Sequence, residues 1–98
     1  MKNVFFIFLL FWSSNACSPT AQEYLDRGVA KGKLGDHRGA IADFNKLIEL
    51  DPGDASAYYN RGVSKHKLGD KNGACLDWSK AGELGLGEAY EPIREYCN

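Results

Sequence analysis

The chain has 98 residues, three of them cysteine, and a formal net charge of −1 at pH 7. This length allows one small domain, and the near-neutral charge does not favour a nucleic acid or an acidic polymer as a partner. Apolar residues make up 44% of the sequence, an ordinary fraction for a globular protein.

The first 16 residues have the layout of a secretory signal. Lys2 gives a basic start, Val4 to Trp12 are all apolar, and Ser13 to Ala16 are small or polar. The apolar run extends about 14 Å as a helix, whereas a helix that crosses a bilayer needs about 20 residues. We therefore expect residues 1–16 to be a signal peptide and not a transmembrane helix; a buried core helix is the alternative.

Cys17 directly follows this segment. The sequence Ser14-Asn15-Ala16-Cys17 resembles a bacterial lipobox, in which the cysteine becomes the lipidated first residue, although Ser14 stands where leucine is usual. Ordinary signal cleavage is the alternative, and it would leave Cys17 as a free thiol. We expect a lipidated tether over residues 17–20, which places the protein outside the cytoplasm, in the periplasm or cell envelope, anchored to a membrane.

Two matching segments follow, and a displacement of 34 residues superimposes them. The matched pairs are Tyr24 with Tyr58, Arg27-Gly28-Val29 with Arg61-Gly62-Val63, Lys33-Leu34-Gly35-Asp36 with Lys67-Leu68-Gly69-Asp70, Gly39-Ala40 with Gly73-Ala74, Asp43 with Asp77, and Phe44 with Trp78. A period of this length with apolar residues at helical spacing predicts stacked helix–turn–helix units.

The predicted helices alternate with short turns. They span residues 21–34, 37–50, 55–68, 71–84 and 88–97. Asp36 and Asp54 precede helices and are expected to cap them. Gly28 and Gly62 lie inside helices, where each costs about 1 kcal/mol relative to alanine. We expect these glycines to admit Ala40 and Ala74 of the partner helices, with Phe44 and Trp78 filling the space between adjacent hairpins.

These residues resemble the tetratricopeptide repeat (TPR) family. The resemblance rests on Tyr24 and Tyr58, Gly28 and Gly62, Ala40 and Ala74, Phe44 and Trp78, and the closing Pro52. In three respects the chain departs from the family pattern: Lys31 and Lys65 replace an aromatic residue, Leu86 replaces the second closing proline, and two copies are present.

The resemblance implies an all-α domain over residues 21–98. It would contain two TPR hairpins (repeat 1 over 21–54 and repeat 2 over 55–86) and a C-terminal capping helix (88–97), arranged as a short right-handed superhelix. It also implies that the protein binds a peptide segment or a protein partner in a concave groove lined by the first helix of each repeat.

By position in the repeat, nine residues should face this groove: Gln22, Leu25, Val29, Lys33, Tyr59, Asn60, Val63, His66 and Lys67. They combine an apolar floor with polar and basic edges, which suits a peptide. Some members of the family hold a C-terminal carboxylate with polar residues of successive repeats. Asn60 matches that clamp but Leu25 and Val29 do not, so the clamp is not expected. The alternative is that these residues pack against the tether or a second copy.

Cys75 and Cys97 remain as a pair once Cys17 is lipidated. Cys75 lies about nine residues before the end of its predicted helix, and Cys97 about nine residues after the start of the next. If the two helices run antiparallel, both sulfurs lie at the same height, so we predict a disulfide. Two reduced, buried cysteines are the alternative. A metal site is not expected, because two cysteines without a nearby histidine do not supply four ligands.

No group of residues in the sequence has the pattern of a catalytic site, and neither an enzyme nor a cofactor is expected. His37 and His66 are predicted to be surface residues. Asp43 and Asp77 are predicted to lie on solvated faces, paired with Lys46 and Lys80. The sequence therefore predicts a non-catalytic protein-interaction module. The alternatives are a self-associating structural lipoprotein and an accessory subunit of an envelope enzyme.

Overall fold

The computed structural model describes residues 18–98, and the predicted signal peptide and Cys17 lie outside these residues. The described residues form five α-helices: α1 (Ala21–Lys33), α2 (His37–Leu50), α3 (Ala55–Lys67), α4 (Lys71–Glu83) and α5 (Tyr90–Tyr96). A short 3₁₀ helix, Gly87–Ala89, joins α4 to α5. The predicted all-α fold of consecutive helical hairpins is confirmed.

The helices pack in chain order. α1 packs on α2 and α3 on α4, so each repeat is one hairpin, and α2 contacts α3 to join the two hairpins. Gly35 and Gly69 make the turns inside the hairpins with φ of +88° and +90°, a backbone conformation that favours glycine. The side chains of Asp36, Asp54 and Asp70 accept hydrogen bonds from backbone N–H groups in the first turns of α2, α3 and α4. The predicted caps at Asp36 and Asp54 are thus confirmed.

An aromatic ring packs on a glycine within each hairpin. A Cβ atom built on Gly28 would lie 2.5 Å from Cε1 of Phe44, and one on Gly62 would lie 2.8 Å from Nε1 of Trp78. Both rings are buried. The sequence predicted that these aromatics fill the space between adjacent hairpins. Phe44 does cluster with Ala57 of the second hairpin, but each ring also fills the space that a missing Cβ leaves on the facing helix of its own hairpin. Gly62 also admits the α4 backbone, because the carbonyl oxygen of Ala74 would lie 3.2 Å from the same Cβ.

The prediction that Asp43 and Asp77 lie on solvated faces is wrong. Each is only 4% exposed. Oδ1 of Asp43 accepts a hydrogen bond of 2.8 Å from Nη2 of Arg27, and its Oδ2 lies 3.1 Å from Nζ of Lys31. The predicted lysine partners, three residues along the same helix, do not pair with these aspartates, because their side chains point away from the facing helix. Nζ of Lys46 instead lies 3.6 Å from Oε1 of Glu49.

The second hairpin repeats this arrangement with Arg61, Lys65 and Asp77. Two nitrogens of Arg61 bind the two carboxylate oxygens of Asp77 at 2.8 and 2.9 Å, and Nζ of Lys65 lies 3.1 Å from Oδ2. The third nitrogen of Arg61 donates to Oδ1 of Asn45 on α2 at 2.8 Å. Arg61 therefore ties its own hairpin together and also links it to the first hairpin.

We predict opposite effects of alanine at two glycines of α1. Gly28→Ala should destabilise the domain by about 1–3 kcal/mol, because the new Cβ overlaps the buried ring of Phe44. Gly32→Ala should stabilise it by about 0.5–1 kcal/mol, because a Cβ there meets nothing closer than 4.0 Å and alanine favours the helix. Urea denaturation followed by circular dichroism measures both. Equal effects at the two sites would contradict the ring-on-glycine contact.

We also predict that the stabilising effect of Asp43 depends on pH. Burial raises the pKa of Asp43, but hydrogen bonds from Arg27 and Lys31 outweigh it and hold the pKa below its usual 3.8. A carboxyl group with a lowered folded-state pKa stabilises the fold above the unfolded-state pKa, and this contribution is lost as the pH falls through the folded-state value.

Asp43→Asn should therefore lower the free energy of unfolding near pH 6 by about 1–2 kcal/mol, a value discounted for the exposure of Arg27. The difference from the unmodified protein should shrink as the pH falls below about 4. Denaturant unfolding at several pH values tests this, with the exposed Asp51→Asn as the control. If the difference in free energy of unfolding between Asp43→Asn and the unmodified protein stays constant down to about pH 2, the ion pair is not its source.

Candidate peptide-binding groove

Two adjoining cavities lie between α1 and α3, the first helices of the two hairpins. The first has a volume of about 250 Å³ and a mainly apolar floor that includes Val29, Phe44 and Val63. The second, of about 370 Å³, continues toward the start of both helices and is bounded by Leu25 and Ser56. Together they form one open trough, which is called the groove below.

Six of the nine predicted residues line the groove: Leu25, Val29, Lys33, Asn60, Val63 and Lys67. The other three lie elsewhere. Gln22 is exposed, and its amide donates to Oδ1 of Asp26 at 3.0 Å. Tyr59 packs with the core of the second hairpin. The ring of His66 lies 4.3 Å from that of Tyr96 on α5 and 5.7 Å from that of Trp78, so His66 is not the open surface residue that the sequence predicted.

The repeat period identifies groove residues that the sequence reasoning missed. Asp26 lines the groove, and the 34-residue displacement superimposes it on the predicted Asn60. Ala30 and Ser64 line the groove at another equivalent pair of positions. The same comparison explains why His66 does not line the groove. Its counterpart in the first repeat is Gly32, which does line the groove, but α5 covers this position in the second repeat.

The polar groups of the groove are unevenly distributed. Lys33 and Lys67 are the last residues of α1 and α3, both are exposed, and neither belongs to an ion pair within residues 18–98. One donor of the Asn60 amide is already used, since Nδ2 donates to the carbonyl oxygen of Ser56 at 2.9 Å. Asp26 lies toward the other end of the groove. One end is therefore basic and the other carries an acid.

The C-terminal helix closes one end of this array. Cys75 on α4 and Cys97 just after α5 are joined by a disulfide, with Cα atoms 5.8 Å apart and a sequence separation of 22 residues. This is the pairing that the sequence predicted. A link that closes a loop of this size stabilises a fold by about 3 kcal/mol in the chain-entropy model. Ile93 and Cys97 pack on the core of the second hairpin, so α5 covers the surface where a third repeat would stack.

The start of this closing segment differs from the predicted helix over 88–97. Residues 87–89 form a 3₁₀ turn, in which the N–H of Ala89 donates to the carbonyl of Leu86 at 3.1 Å. The α-helix begins only at Tyr90, and Pro92 falls in its first turn. A proline is tolerated there because the first N–H groups of a helix have no intrahelical partner.

Comparison with known proteins agrees with this architecture. Residues 28–69 match the family model of the TPR repeat. A segment of 44 residues is 50% identical to the Protein SGT1 homolog of Oryza sativa subsp. japonica; it covers 44% of this chain and 12% of that protein. The helical hairpins described above are consistent with the helical hairpins of TPR repeats. TPR repeats are in general protein–protein interaction modules and are typically non-catalytic.

Within residues 18–98, no three side chains of histidine, cysteine, aspartate or glutamate lie close enough together to hold a metal ion. None of the helices described for this stretch has the length and apolar character needed to cross a membrane.

Proposed function

We propose that this protein is a non-catalytic interaction module that binds a segment of a protein partner in the groove between α1 and α3. The observation that carries this proposal is the groove itself: equivalent positions of both repeats line one open trough with an apolar floor and polar edges. Solenoid arrays use such concave surfaces to bind extended partners.

The dimensions of the groove limit the partner segment. α1 and α3 have 13 residues each, which corresponds to a helix length of about 20 Å. An extended peptide rises about 3.3 Å per residue, so about six residues can lie along the groove. A short linear segment of a larger protein fits this length.

We predict that a photocrosslinker in the groove captures a partner and that one on the outer surface does not. Benzoylphenylalanine is placed at Ala30, which is exposed and lines the groove, or at Leu76, which is 73% exposed on α4 and lines neither cavity. Crosslinking in the native host, followed by mass spectrometry, should identify a protein that reacts with Ala30 alone.

Asn60→Arg should reduce that crosslink at least several-fold, because the longer side chain fills the groove, whereas the control Leu76→Arg should not. Equal crosslinking from both positions would contradict binding in the groove. If the captured protein is a second copy of this chain, the groove serves self-association, which is the structural alternative to an interaction with a different protein.

We further propose that the protein is exported and held at a membrane by acyl chains on Cys17. The signal-like residues 1–16 and the lipobox-like cysteine support this. A single acyl chain binds a bilayer only marginally, so stable anchoring requires more than one chain. The groove would then be presented at the surface of that membrane, in the periplasm or cell envelope.

Metabolic labelling with a fatty acid tests the anchor. The full chain should incorporate the label and sediment with membranes, and Cys17→Ser should lose both properties. Cys97→Ser is the matched control and should retain the label, because that cysteine is joined to Cys75. An unlabelled protein, or a label that persists in Cys17→Ser, would contradict the proposal.

A further inference from the structure

Lys33 and Lys67 are the two lysines that line the groove, and neither has an anionic partner in the described structure. Both line the 250 Å³ cavity, at equivalent positions of the two repeats. Lys31 and Lys65, two residues earlier, form ion pairs with Asp43 and Asp77. The unpaired pair therefore offers two ammonium groups to whatever occupies the groove.

The helix ends beside these lysines would otherwise repel an anion. The C-terminal ends of α1 and α3 carry partial negative charge from their unpaired carbonyl groups. Lysines in the last turn reverse the sign of the potential at that point. Asp26 lies seven residues before Lys33, which is about 10 Å along the helix, so an anionic group is favoured at the lysine end of the groove and disfavoured at the other.

The cavity between the lysines has room for an apolar side chain. Its floor includes Val29, Phe44 and Val63, and its volume is about 250 Å³. An apolar side chain on the floor would bring the neighbouring residue of the same peptide to the lysines at the rim.

We propose that the segment bound in the groove carries a carboxylate next to an apolar side chain, with the carboxylate held by Lys33 and Lys67. This inference rests on the proposed function, since it names the chemistry of the partner of that same groove. It does not involve the positions of the carboxylate clamp, where Leu25 and Val29 stand here. The lysines instead act from the last turns of two successive inner helices.

Matched peptides test this inference against the intact 98-residue chain. The probes are peptides of about twelve residues with blocked termini, each with one leucine followed directly by glutamate, glutamine or lysine. Fluorescence anisotropy at low ionic strength should show that the glutamate peptide binds about tenfold more tightly than the glutamine peptide, because charged hydrogen bonds are the stronger ones. The preference should weaken as salt is added.

Charge substitutions then locate the preference. Lys33→Gln combined with Lys67→Gln should abolish the preference for glutamate, so that the glutamate and glutamine peptides bind equally. Lys33→Glu combined with Lys67→Glu should bind the lysine peptide best. Lys71→Gln combined with Lys80→Gln, on the exposed surface of α4, is the control and should behave like the unmodified chain. Unfolding midpoints of all variants show whether a change in binding follows a loss of fold.

The outcomes separate this inference from the function on which it rests. If no peptide binds, both fail. If the glutamate and glutamine peptides bind equally, or if the control removes the preference, the groove binds peptides but the lysines do not select a carboxylate, and the inference is overturned. A further peptide with a free C-terminal carboxylate in place of glutamate shows whether the favoured group belongs to a side chain or to a chain end.

Discussion

The contact of an aromatic ring with a bare helix backbone controls the arrangement of this protein. Phe44 lies on Gly28 and Trp78 on Gly62, at distances that no side chain could share. Because the same contact recurs in both repeats, the two hairpins have the same internal geometry. Their inner helices therefore present equivalent positions side by side, and the groove is a consequence of this equivalence. A glycine inside a helix is unfavourable by itself, but here it allows the largest buried side chains to pack.

The charged residues at the hairpin interface act as one unit. Lys31 and Lys65 stand where the resemblance to the TPR family leads one to expect an aromatic residue. Considered alone, this replacement would remove an apolar side chain from the core. The structure shows that each lysine, together with an arginine one helical turn earlier, surrounds an aspartate from the facing helix. A buried carboxylate is tolerable when it is paired and hydrogen-bonded. The lysines that depart from the family pattern therefore have a structural role, because each pairs with a buried aspartate of the facing helix.

The sequence alone was sufficient to predict the fold because the repeat period carries most of the information. The helices, the turns at Gly35 and Gly69 and the caps at Asp36 and Asp54 depend on local patterns, and each was predicted near its observed place. The burial of Asp43 was missed because helical spacing compares residues within one helix, whereas its partners lie on another. A signal existed, since Arg27 and Asp43 recur together as Arg61 and Asp77 at the same separation.

Prediction of the groove succeeded where both repeats behave alike and failed where they differ. Leu25, Val29 and Val63 face the trough because neighbouring inner helices flank them. His66 does not, because α5 follows the second hairpin and places Tyr96 over the histidine ring. No property of His66 itself reveals this. It depends on where the array ends, and that is decided by the contact of α5 with the second hairpin and by the disulfide between Cys75 and Cys97.

The distribution of lysines connects the stability of the hairpins to the chemistry of the groove. Residues two apart on a helix point to nearly opposite sides, so Lys31 and Lys33 cannot serve the same surface. Lys31 faces α2 and neutralises Asp43, whereas Lys33 faces the groove. The second repeat divides Lys65 and Lys67 in the same way. Since the aspartates pair with only one lysine of each repeat, the other stays available, and a chain with a net charge of −1 is still basic at one end of the groove. The net charge of a sequence therefore says little about the charge of a particular surface, because pairing inside the fold decides which charges stay available to a partner.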